Sequence, residues 1–136
     1  MGAGCSGGVF MSLVKGIHHV CLKCSGAELD SVISFYKDVL GMEIARTWDT
    51  GIMFDTGCGL IEVFTNGDEL LPKGAIHHFA LAVDDVDACV AAVTNAGYEV
   101  FDGPRDICIP SNPGFPARIA FCNGPLGEEI EFFQEK

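Results

Sequence analysis

The chain has 136 residues, 49% of them hydrophobic, which suits one ordinary domain or two small fused modules with a real core. Asp and Glu number 19 against 8 Lys and Arg, for a formal charge of −11, so too few cations remain to line a phosphate backbone and nucleic acid is excluded as a partner. Every apolar run is broken by Asp, Asn, Gly or Lys before about 18 residues, so no segment is expected to cross a membrane.

Residues 1–14, opening "MGAGCSGG", lack the basic start and long apolar stretch of a signal peptide and are expected to form a disordered leader on a cytoplasmic protein. A strand should follow at "IHHVCLKC" (17–24). Ser25 with Glu28 three residues on forms a capping box, so a helix should start there. Leu29, Val32, Ile33, Tyr36 and Leu40 would form its inner face, with Gly41 as the stop. "MEIARTW", "GIMFDTG" and "GLIEVFT" then read as three strands. The polar stretch 65–75, "TNGDELLPKGA", reads as a linker.

The same order then returns. "IHHFALAV" (76–83) is a strand, Asp84 with Asp87 should open a second helix, and Val86, Cys89, Val90 and Val93 should be its buried side before Gly97 closes it. "YEVFDG", "ARIAFCN" and "EEIEFFQ" give three more strands. "RDICIPSNPGFPA" (105–117), with three prolines, reads as a long loop suited to a lid or substrate wall. The halves also open and close alike, "IHHV" with "IHHF" and "IEVF" with "IEFF", which marks an internal repeat. The expected architecture is α+β: one domain, residues 15–136, built from two βαβββ modules (15–66 and 75–136). Each module should curve its sheet into a half-barrel with its helix on the convex face.

Seven cysteines invite a disulfide or zinc reading, but the count is odd and "CLKC" (Cys21, Cys24) has no second CxxC. Buried, reduced thiols are the expectation. The histidines say more, because all four sit in the two pairs. Side chains alternate along a strand, so the apolar sets Val20/Leu22 and Phe79/Leu81 pack on the helices and turn His19 and His78 to the opposite face. Glu62 and Glu131 alternate likewise with Ile61/Val63 and Ile130/Phe132 and join the histidines. Two His and two Glu from equivalent positions suit one divalent metal with mixed nitrogen and oxygen ligation and open positions for substrate. His18 and His77 fall on the other parity, as structural residues at the strand mouths.

"IHHVCLKCSGAELDSVISFYKDVLGMEIART", "LIEVFTN" and "GEEIEFFQEK" resemble glyoxalase I (lactoylglutathione lyase) of the vicinal oxygen chelate superfamily, over nearly all of residues 15–136. The resemblance places His19, Glu62, His78 and Glu131 on that family's metal ligands, nickel or zinc. It places Asn66 on a thiol-substrate contact and Lys23 where the family commonly carries Arg; Gly124 and Leu126 replace acidic residues of its usual turn. It implies isomerisation of a 2-oxoaldehyde–thiol hemithioacetal through an enediolate, with Glu131 the first choice of base and Glu62 the second. Phe64 and Phe133 would exclude water from a small-molecule substrate, in a homodimer. "KGAIHHFALAVDDVDACVAAVTNAGYEV" is similar instead to methylmalonyl-CoA epimerase, which tends to carry Gln at the position of Glu62. A metal-free drug-binding protein of the bleomycin resistance type is a third alternative.

Overall fold

The computed structural model describes residues 17–67 and 76–136; the expected leader and most of the expected linker lie outside the described residues. The chain divides into two compact units, Met1–Leu71 and Pro72–Lys136. Each holds a four-stranded mixed sheet of the same design.

In the first unit, β1 (His19–Lys23) runs parallel to β4 (Leu60–Phe64), and β3 (Gly51–Asp55) and β2 (Glu43–Trp48) follow antiparallel, in the order β1-β4-β3-β2. Between β1 and β2 the chain is helical from Gly26: one 3-10 turn, the α-helix α1 (Leu29–Ile33), then a π-helical turn over Ser34–Val39. The start follows the sequence expectation, with the Ser25 backbone N–H donating to Glu28 Oε1 at 3.0 Å. The inner face differs from it. Val32 and Tyr36 are buried as expected, but Phe35 is buried too, because the wide π turn rotates the apolar stripe by about one residue. Tyr36 packs on Phe54 of β3 with ring centroids 5.5 Å apart, which ties the helix to the sheet face that also carries Ile61.

The second unit repeats the plan: β5 (Phe79–Ala82) parallel to β8 (Glu129–Glu135), then β7 (Phe115–Asn123) and β6 (Val100–Ile109) antiparallel. Helix α2 (Val86–Asn95) has Val86 and Val93 fully buried, and it packs on β6, β7 and β8. Its N-cap is Asp85, whose carboxylate accepts the Ala88 N–H at 3.1 Å, and not Asp84 as the sequence suggested. A cap must sit one residue before the first helical position, and Val86 fills that position. Gly41 and Gly97 end the two helical segments at φ +78° and +92°, a conformation that costs side-chain-bearing residues a steric clash.

The long loop expected over 105–117 is not one. β6 runs to Ile109 and β7 starts at Phe115, so only residues 110–114 are irregular and most of the segment is a hairpin. Pro110 and Pro113 sit in that connection. Pro116 stands in β7 opposite Cys108 of β6, one residue past the last pairing with β8, where its carbonyl accepts the Lys136 N–H at 3.2 Å. The thiols depart from expectation as well. Cys24 and Cys122 are buried, yet Cys21 and Cys108 are exposed, and Cys58 is disulfide-bonded. Among the described residues no helix is long and apolar enough to cross a membrane.

Candidate metal centre and active site

In each unit the strand pair that begins and ends it positions the candidate ligands. In β1–β4 the register places Cys21 opposite Glu62, and in β5–β8 it places Ala80 opposite Glu131. His19 and His78 stand two residues earlier on β1 and just before β5, on the same face as those carboxylates. His19 Nε2 lies 3.4 Å from Glu62 Oε1, and His78 Nε2 lies 3.2 Å from Glu131 Oε1. The carboxylates are buried, 8% and 9% exposed, whereas the imidazoles reach further toward solvent.

Two chemistries bear on the spacing within each pair. A charged imidazolium–carboxylate hydrogen bond draws its atoms to about 2.7–2.9 Å, and a neutral N–H···O bond spans about 2.7–3.2 Å. Two donors on one metal, each bonded at about 2.1 Å, stand about 3.0 Å apart at a right angle and about 3.4 Å at the tetrahedral angle. Both observed separations fall in this last range, and imidazole nitrogen with carboxylate oxygen is a donor set that zinc and nickel accept. Each unit supplies two such donors, and among the described residues no group of three or more His, Cys, Asp or Glu side chains is gathered for a metal.

The double histidines have a use in this geometry. His18 Nδ1 lies 2.9 Å from His19 Nδ1, and His77 Nδ1 lies 2.8 Å from His78 Nδ1, with the rings edge to face at 84° and 85°. His18 and His77 are thus hydrogen-bonded to the candidate ligands, a contact that strand parity alone did not suggest.

Around this shared plan the units differ. The Cys21 thiol is hydrogen-bonded to Glu62, and burial first, then the Glu62 charge, pushes the thiol upward so that it stays protonated near neutrality. Ala80 offers nothing of the kind to Glu131. Beside Glu131 stands Phe121, its partner in the β7–β8 register and an edge-to-face neighbour of His78 at 5.1 Å; Phe101 lies 5.9 Å further on. Met53 holds the equivalent place beside Glu62. Phe121 escaped the sequence reading because only the β7–β8 register reveals its neighbour.

Lys23 and Phe64 are paired across β1 and β4. Two residues past Phe64, Asn66 forms an isolated bridge with Ser25, so Lys23, Phe64 and Asn66 occupy one end of the first sheet. Phe64 meets the Trp48 indole at 5.9 Å, and Phe133 stacks on Phe115 at 6.1 Å. Arg105, also missed in the sequence, faces Ile119 in the next strand, is held bidentately by Asp102 at 2.8 and 3.1 Å, and feels the Glu131 charge.

The sequence and fold both have known relatives. The family model of the Glyoxalase/Bleomycin resistance protein/Dioxygenase superfamily matches residues 16–132. The lactoylglutathione lyase of Haemophilus influenzae is 30% identical over 121 residues, covering 80% of this chain and 86% of that protein. A glyoxalase family protein from Bacillus anthracis superimposes with a TM-score of 0.72 at 20% identity, covering 93% of this chain and all (100%) of the other. An antibiotic-binding protein from Streptomyces does so with a TM-score of 0.68 at 19% identity, covering 92% and 99%. One fold therefore serves an enzyme-named family and a drug binder alike, and the choice rests on the site.

Proposed function

The chain belongs to the Glyoxalase/Bleomycin resistance protein/Dioxygenase superfamily, and from that membership we propose that it is a metal-dependent lyase of the lactoylglutathione lyase type, isomerising the hemithioacetal of a 2-oxoaldehyde and a thiol. The observation that carries the proposal is the twofold His–Glu pair. His19 with Glu62 and His78 with Glu131 recur in the same register at 3.4 and 3.2 Å, a spacing suited to adjacent ligands of one metal.

In this proposal the two pairs, from the halves of one chain or from two chains of a cytoplasmic homodimer, hold one nickel or zinc ion. When bound, the ion supplies Lewis-acid polarisation of two neighbouring substrate oxygens. Glu131 removes the proton from carbon beside the carbonyl and returns it to the adjacent carbon. Glu131 is preferred over Glu62 because the Cys21 thiol already occupies Glu62, while Ala80 leaves Glu131 without that donor. Phe64 and Phe133 shield the reacting carbons from water. Lys23 and Asn66 hold the polar tail of the thiol.

The test is metal analysis and turnover on purified protein, with hemithioacetals of several thiols beside an acyl-CoA epimerisation assay. The expected result is a bound divalent ion and hemithioacetal turnover lost with a chelator and restored by metal. His78→Ala should lose metal and activity together. Epimerisation without hemithioacetal turnover would move the chain to the epimerase reading. Full stability and no metal uptake would move it to the drug-binding one.

A further inference from the structure

We propose that His18 and His77 are positioning residues: each accepts the Nδ1–H of the following histidine, and so holds His19 and His78 in the tautomer whose Nε2 lone pair faces the metal. The inference rests on the metal-ligand reading of His19 and His78.

The geometry leads there in two steps. A contact of 2.9 or 2.8 Å between two imidazole Nδ1 atoms needs a hydrogen on one and a lone pair on the other. A neutral histidine that gives its Nε2 lone pair to a metal carries its hydrogen on Nδ1. Nε2 of His19 and of His78 faces the glutamate carboxylate, 3.4 and 3.2 Å from Oε1, on the side where the proposed metal would be held. The second histidine is therefore the donor, and its Nε2 is the free electron pair. A ligand histidine usually gives its other ring N–H to a carboxylate or a carbonyl, which fixes both tautomer and ring plane. Here a neighbouring imidazole takes that part, and this is why the chain writes the histidine twice in each half.

Four variants of the full chain test this: His18→Phe and His77→Phe keep a ring but remove the acceptor, and His18→Asn and His77→Asn restore an acceptor oxygen near the Nδ1 position. Both histidines are exposed, so none of these changes empties the core. Metal-free protein is titrated with Co²⁺ against a competing chelator, the cobalt absorption bands are recorded, and long-range ¹H–¹⁵N spectra of the zinc-loaded protein report the tautomer of each ring. Wild type should bind cobalt, the Phe variants should bind it about 10- to 100-fold more weakly, and the Asn variants should recover most of the loss. His19 and His78 should carry hydrogen on Nδ1. Phe variants that bind as tightly as wild type, Asn variants no better than Phe, or hydrogen on Nε2 of His19 or His78 would overturn the inference while leaving the metal site standing. Failure of the wild type itself to bind cobalt would overturn the proposed function, and this inference with it.

Discussion

In the proposed metal site, replacing Glu131 by Gln separates proton transfer from metal binding. The amide keeps the volume of the carboxylate and one oxygen able to ligate, but it cannot accept a proton from carbon. General-base catalysis contributes about 10²–10⁴ in rate, or roughly 3–5 kcal/mol of barrier. Glu131 should fall in the upper part of that range, for two reasons found in the structure. Its side chain is only 12% exposed with Phe121 against it in the sheet, so bulk water is poorly placed to take over. Ala80 also offers no side-chain donor through which a neighbouring group could relay the proton. Steady-state kinetics with a hemithioacetal, alongside metal content of the same samples, should show kcat reduced by about 10³–10⁴ with metal occupancy largely retained. Turnover within about tenfold of wild type at full occupancy would refute the assignment and pass the base to Glu62 or a water. Loss of metal in step with activity would make Glu131 a ligand whose basicity is unused.

Mixing a His19→Ala chain with a Glu131→Gln chain tests how the pairs combine: sites shared between two chains should regain about a quarter of wild-type turnover, since half the dimers are mixed and each carries one intact site. Sites built within one chain stay inactive on mixing. Arg118 tests the electrostatics of the second unit, since its guanidinium binds Asp87 at 2.7 and 2.9 Å and Asp106 at 3.1 Å, and these contacts hold both carboxyls below the usual range, with Lys136 the larger cause at Asp106. A depressed folded-state value contributes stability that is present above the unfolded carboxyl value, about 3.9, and lost as pH falls through the folded one. Arg118→Ala should therefore melt below wild type at neutral pH and converge with it in acid; a gap unchanged at about pH 2 would assign the loss to packing of the arginine stem.

Most of the fold was legible because it rests on periodicity. Val20 and Leu22 alternate with His19, Cys21 and Lys23, and the strand follows from that pattern. Ser25 and Glu28 announce a helix start, and Gly41 and Gly97 stand where helices stop. What failed was decided by neighbours that the local sequence does not contain. Pro110, Pro113 and Pro116 read as breakers, yet only Pro110 and Pro113 fall in the connection, and Pro116 stands in β7 opposite Cys108, one residue past the end of the β8 ladder. Phe35 is buried because the helix widens into a π turn there, and no propensity marks such a turn in advance. For the site, parity placed His19 with Glu62 and His78 with Glu131, since side-chain direction along a strand is fixed by counting. It could not bring Phe121 beside Glu131 or Cys21 onto Glu62, which depend on strand register.

The differences between the halves carry as much functional content as the likeness. A duplicated module under one demand, to present a histidine and a glutamate at metal-ligand spacing, needs only those residues kept in register, and here they are. The positions next to them have separated. Cys21 faces Glu62 where Ala80 faces Glu131, Met53 stands where Phe121 does, and Leu60 where Glu129 does. The first two differences push the same way. The first half sets a thiol against its carboxylate, which suits a group that would be held as a ligand in the proposed site. The second half offers its carboxylate no such thiol and sets an aromatic ring beside it, which suits the proposed base. If one half anchors and the other reacts, exchanging Cys21 and Ala80 between the halves should exchange which glutamate the reaction cannot do without.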